Sequence, residues 1–256
     1  MKLDWQQKNF ESDIDFILFH QQDDTPNWWR KRLFDVYIDL NYKYARSLPE
    51  SKRFEYITKK MKTIANEQHD IINKSIKMFQ KSWSVLAGKL NSAYAAAFDN
   101  DCSGILNDMT ANVGLNPICP RDITNHSFDV FYFFDPKYAM TVALHEITHM
   151  AWFHFWQKHF RDNPAEYDSP HLKWVLSEIV VETIIRNSKI NDLVHEPQYI
   201  AYSYFYDMHI GGELVFDKMK QLYLKRKDIN DFMEKAYDWI KNNEKELRKK
   251  IADAER

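Results

Sequence analysis

His145-Glu146-Ile147-Thr148-His149 spells the pattern HExxH. On a helix, residues four apart lie one above the other on the same face, so His145 and His149 can converge on one metal ion without bending the backbone. Zinc accepts imidazole nitrogen at about 2.0–2.1 Å, and a catalytic zinc takes a third protein ligand and keeps a fourth position for water. Glu146 would project beside the metal, where it can take a proton from that water. A random chain of this composition, with its ten His, would show the pattern about 0.02 times.

The flanks favour a helix. Asp135 is a good N-cap residue, and Pro136 suits the first helical position, where its missing N–H costs nothing. Lys137 to about Phe160 contains neither Gly nor Pro, and the run breaks at Arg161-Asp162-Asn163-Pro164. Tyr138, Val142, His145 and His149 fall on one side, with Trp152 and Trp156 continuing the stripe. Upstream, Ser127 to Phe134 reads as a strand, apolar on both faces except at Asp129. Downstream, His171 to Asn187 reads as a helix opened by Ser169-Pro170, and its apolar interior carries Glu178 and Glu182. Two carboxylates are costly to bury unless something neutralises them, and a divalent cation with its imidazole ligands would do so. Glu178 as third ligand, with Glu182 hydrogen-bonding the outer nitrogen of a ligand His, is an arrangement that zinc sites use. Glu166 and Asp168, in the loop Asn163 to Ser169, are rival third ligands.

HExxH, a Glu on a later helix and an acid four residues beyond it together resemble the gluzincin branch of zinc metallopeptidases, the thermolysin-like class. The region from about Phe128 to Glu182 carries the resemblance. It implies a Zn2+ cofactor held by His145, His149 and Glu178, with Glu146 as general base and Glu182 as the acid behind the ligands. It implies an α+β, predominantly α, zincin-like fold with a small sheet beside the HExxH helix. It also implies that a strand of that sheet, here 128–134, lends its edge to extended peptide backbone. The gap from His149 to Glu178 is longer than usual in that class, and Glu182 stands where Asp is usual. The metzincin pattern, with a third His six residues after the second and a Gly between, is absent: Phe155 and Trp152 occupy those positions.

Such a hydrolase needs a donor for the oxyanion that develops at the attacked carbonyl. Gln198 to Ile210 reads as a helix stopped by Gly211-Gly212, with Tyr199, Tyr202, Tyr206 and His209 on one face. His209 or Tyr206 is the candidate donor; an aromatic core stripe explains the same residues.

The 256 residues allow one large or two small domains. Residues 1–100 read as a helical lobe and 101–256 as the zincin-like catalytic region, which can form one continuous domain. Thr25-Pro26 opens a helical pattern running to Tyr44, and Pro49 another that continues with interruptions to Phe98. Residues 12–20 suit strand or helix, and Ile229 to Ala254 a C-terminal helix. Asp99 to Gly104 imitates the start of a calcium loop, but position twelve is Thr110 where a bidentate Glu is needed. A net charge of −2 gives no electrostatic case for nucleic acid or an acidic membrane surface. No run of 18 apolar residues suggests a membrane span, the N-terminal stretch lacks a signal-peptide core, and Cys102 and Cys119 form no CxxC. The expectation is a cytoplasmic zinc metallopeptidase acting on a peptide or protein substrate. A zinc hydrolase of a non-peptide amide or ester, or a non-catalytic metal-binding protein, is the alternative.

Overall fold

The computed structural model describes residues 2–193 and 201–255. It begins with β1 (Leu3–Gln7), α1 (Phe10–Phe19), α2 (Asn27–Val36), α3 (Tyr42–Ser47) and α4 (Glu50–Phe98). Then come α5 (Ser103–Leu106), β2 (Met109–Gly114), β3 (Arg121–Asp122), β4 (Ser127–Phe131), α6 (Pro136–Phe160) and α7 (Leu172–Arg186). A hairpin of β5 (His209–Ile210) and β6 (Glu213–Leu214) leads into α8 (Val215–Leu224), α9 (Ile229–Asn242) and α10 (Glu244–Ala254). The fold is α+β and predominantly α.

The sheet runs in the order β1-β2-β4-β3, with β1, β2 and β4 parallel and β3 antiparallel to β4. Leu3 and Trp5 of β1 are buried, and Trp5 packs its ring on Phe79 and Trp83 of α4. The stretch 1–100 is therefore not helical throughout: its first strand belongs to a sheet whose other members follow residue 108. One apolar core runs through residues from both halves, from Leu3 to Leu247.

Helix α4 spans 49 residues, about 74 Å at 1.5 Å per residue. The breaks expected within it do not occur. Helix α6 starts where the sequence indicates, with the Asp135 carboxylate accepting from Lys137 N and Tyr138 N and Pro136 in the first turn. It ends at Arg161, in the left-handed region at φ 54°. Ala139, Ala143, Leu144, Ile147, Met150, Ala151 and Trp152 are all buried, so α6 is enclosed on nearly every side and lacks a polar face. The Tyr94 hydroxyl of α4 lies 2.9 Å from both Leu144 O and Thr148 Oγ1, which pins α6 within the motif itself. Helix α7, equally buried, packs along α6.

Four other expectations are corrected. The pattern from Thr25 to Tyr44 forms two helices, α2 and α3, and the Ile229–Ala254 pattern divides at Asn243. The strand read as 127–134 ends at Phe131 and lies inside the sheet between β2 and β3, so its edge is not open to a peptide. The helix read as 198–210 is not there in its described part. Residues 203–205 form a single 3₁₀ turn, and Gly211 and Gly212, at φ 59° and 83°, close the β5–β6 hairpin. Two glycines with positive φ between short strands favour that turn. The calcium-like stretch is a helix end: Asp99 adopts the left-handed conformation and pairs with Arg226 at 2.7 Å, while Asp101 caps Ser103. No described helix is long and apolar enough to cross a membrane.

Beyond β2, Gly114 lets α1 approach closely: a Cβ there would lie 2.5 Å from Asp13 Oδ2, the atom that accepts from Leu115 N. Burial, reinforced by Asp129, pushes the Asp13 carboxyl up to about 7. Between pH 4 and 7 the unfolded chain therefore loses a proton that the folded chain keeps, so this group's contribution to stability falls as pH rises. An asparagine in place of Asp13 would keep an acceptor for Leu115 N and carry no charge. Asp13→Asn should remove that decline, raising stability at pH 8 relative to pH 4 by up to about 4 kcal/mol compared with wild type. Urea unfolding at both pH values measures it, and equal slopes for the two proteins would refute the assignment.

Candidate metal centre

The contact of α6 with α7 brings four side chains together. His145 Nε2 and His149 Nε2 lie 2.9 Å apart, within hydrogen-bond reach of each other. Glu178 of α7 faces them, with Oε2 3.7 Å from His145 Nε2 and Oε1 3.5 Å from His149 Nε2. Tetrahedral ligands about 2.0–2.1 Å from zinc would be about 3.3 Å from one another. Glu146 joins the group, its Oε1 3.9 Å from His145 Nε2. One ligand atom from each of His145, Glu146 and His149 lies within 4.8 Å of the others.

Electrostatics suit a cation. Burial drives the pKa of His149 down to about 3, which keeps the ring neutral. For His145 burial acts in the same direction, but Glu178 and Glu146 outweigh it and hold the ring above its usual value. Burial alone would raise Glu178; His149 and Arg121 overcome it and keep that carboxyl well below the usual range. Burial raises Glu146, the direction expected of a carboxylate that must take up a proton. Two imidazoles and a carboxylate form a zinc donor set.

Of the other residues singled out in the sequence, several lie elsewhere. Glu182 Oε1 accepts from Arg186 Nε at 2.9 Å, one turn along α7, while Oε2 and the outer Nδ1 atoms of both histidines are buried without a partner. The hydrogen bond expected from a ligand His to Glu182 is not formed. Glu166 is tied to Lys173 at 2.6 Å, and Asp168 is exposed. His209 is exposed on β5, its Nδ1 3.2 Å from Asp207 O. Tyr206 packs on Phe216, and its hydroxyl accepts from Ala201 N. Tyr199 lies outside the described residues.

Compared with known proteins, the chain matches no family model, no curated protein and no solved structure.

Two residues escaped the sequence reading. Arg121 enters from β3, with Nη1 3.0 Å from Glu178 Oε1 and 3.8 Å from Glu146 Oε2. Nothing in Pro120-Arg121-Asp122 signals this, since a two-residue strand has no period to read. Tyr202 shares the electrostatic environment of Glu178, Arg121 and Glu146, and burial with those carboxylates holds its hydroxyl protonated. Its ring meets Trp28, Trp29 and Trp174, the last of these one turn before Glu178. The sequence shows an aromatic row that includes Tyr202, but its helical spacing points to Tyr206 and His209 instead.

In metal-free protein Arg121 depends on Glu178 for its nearest countercharge. Glu178→Ala should therefore destabilise the chelator-treated protein by about 3–5 kcal/mol, the scale for leaving one buried charge unpaired. Denaturant titration in excess chelator measures it, and a loss below about 1 kcal/mol would mean that water already screens the pair.

Proposed function

We propose that this chain is a zinc-dependent hydrolase of peptide bonds, built on a zincin-like arrangement. The observation that carries the reading is the grouping of His145, His149 and Glu178, a zinc donor set whose nitrogen and oxygen atoms approach within 3.7 Å across two helices. When bound, the ion would polarise the scissile carbonyl and lower the pKa of its water towards 7. Glu146 takes the proton from the attacking water and passes it to the leaving amine. Tyr202, kept protonated by burial and by the charge of Glu178, is the candidate donor to the developing oxyanion in place of His209 and Tyr206. Burial of the motif on α6 keeps bulk water away and strengthens each of these interactions. Two cysteines that form no disulfide suit a reducing compartment such as the cytoplasm.

The Arg121–Glu178 ion pair supports a second reading, a closed polar cluster with no turnover. Metal content separates the two. The hydrolase reading expects about one zinc per chain after reconstitution at neutral pH. Glu178→Ala should weaken binding more than about 100-fold, beyond the usual effect of outer partners, while Glu166→Ala should not. Elemental analysis finding no zinc, or the two variants behaving the other way round, would overturn the ligand assignment.

As general base Glu146 would act on the water and would not hold the ion, so Glu146→Gln should keep both zinc and melting temperature. Gln is nearly isosteric but accepts no proton at neutral pH, and hydrolysis should fall by about 10² to 10⁴. Full activity of that variant on a peptide cleaved by the wild type would refute the mechanism.

A further inference from the structure

One edge of the Arg121 guanidinium is committed and the other is not. Nη1 is held by Glu178 Oε1 at 3.0 Å, which fixes the plane and direction of the group. Nε and Nη2 are buried and have no acceptor among the described residues, although the side chain is only 10% exposed. Buried donors are satisfied in nearly all folded proteins, so an orphaned pair of them calls for an acceptor. Nε–H and Nη2–H point side by side along one edge, the fork that takes both oxygens of a carboxylate.

Arg121 also lines a cleft of about 340 Å³ between β3 and the turn at Pro164–Tyr167. The other cation of that cleft, Lys8, lies 2.9 Å from Asp129, and the Asp122 carboxylate caps the turn at Asn125. The same guanidinium thus touches the candidate metal ligand through Nη1 and keeps Nε and Nη2 without an acceptor among the described residues.

We propose that Arg121 binds the α-carboxylate of a peptide's last residue, so that the site removes single residues from the C-terminal end. This rests on the hydrolase reading. The α-carboxylate is favoured over an acidic side chain because only the width of one guanidinium separates the fork from Glu178. That reach suits the short N–Cα–C link between a scissile amide and the chain's end. In the reaction, water's oxygen bonds to the carbonyl carbon and the C–N bond breaks. A water proton goes to the departing amine, giving a peptide one residue shorter and a free amino acid.

The test uses the zinc-loaded protein with benzoyl-glycyl-phenylalanine and with its C-terminal amide. Wild type should favour the acid by about 100-fold or more in kcat/KM, the scale of a lost charge-assisted bidentate contact. Arg121→Lys, which keeps a cation beside Glu178 but lacks the fork, and Arg121→Gln should each remove most of that preference, slowing the acid far more than the amide. Calorimetry on Glu146→Gln, which does not turn the probe over, should show the acid binding tighter than the amide, and the double variant with Arg121→Lys should lose the difference. If Arg121→Gln does not fold, the Lys variant decides. Hydrolysis that ignores the carboxylate, or variants that slow acid and amide equally, would overturn the proposal and leave the hydrolase reading standing. Binding of the acid through Arg121 with no hydrolysis of either probe would overturn both the hydrolase reading and the removal of residues, leaving only a carboxylate-binding site.

Discussion

Everything in this structure answers to one constraint: two carboxylates and two imidazoles are buried where α6 crosses α7, with little water to shield them. Ionised groups in such a place are tolerated only when opposite charge and hydrogen-bonding partners surround them. Glu178, at 4% exposure, therefore draws His145, His149 and Arg121 to itself. Each of the three comes from rigid surroundings. The histidines ride on a helix pinned by Tyr94, and Arg121 is anchored by a short strand on the edge of the sheet. The sheet's role in the site is thus indirect: its outermost strand delivers a guanidinium.

The same constraint explains what could be read in the sequence. HExxH and the Glu178 helix were legible because helical spacing maps four-residue steps onto one face, and because Asp135-Pro136 is a local start signal needing no tertiary help. Arg121 was not legible. Its partners lie 25 and 57 positions away, and no local pattern marks an arginine that will be buried by them. Strand β1 was missed for a related reason. Leu3-Asp4-Trp5-Gln6-Gln7 alternates apolar with polar too briefly to outweigh its polar composition, and only pairing with β2 and packing on α4 make it a strand.

Misreadings in the region 198–210 came from a different competition. Aromatic residues at steps of three and four imitate a helix face, and Gly211-Gly212 was taken as its stop. In the fold the same glycines supply the two positive φ angles of a tight hairpin, so the segment leading into them extends as β5. Turn chemistry prevailed over periodicity there. The aromatic cluster survives in another form, with Tyr202 meeting Trp28, Trp29 and Trp174 across three separate parts of the chain.

The parallel pairing of β1 with β2 joins Leu3 to Met109, and all 49 residues of α4 lie between them. A chain made from its first residue onward completes α4 before β2 exists. Closing a flexible loop of that length would be slow, because its entropy must be lost before the strands reward it. Trp5 escapes the wait: Phe79 and Trp83 give it an apolar surface as soon as the helix forms. The topology thus implies that the long helix serves as a jig, holding the first strand in position until its neighbour arrives.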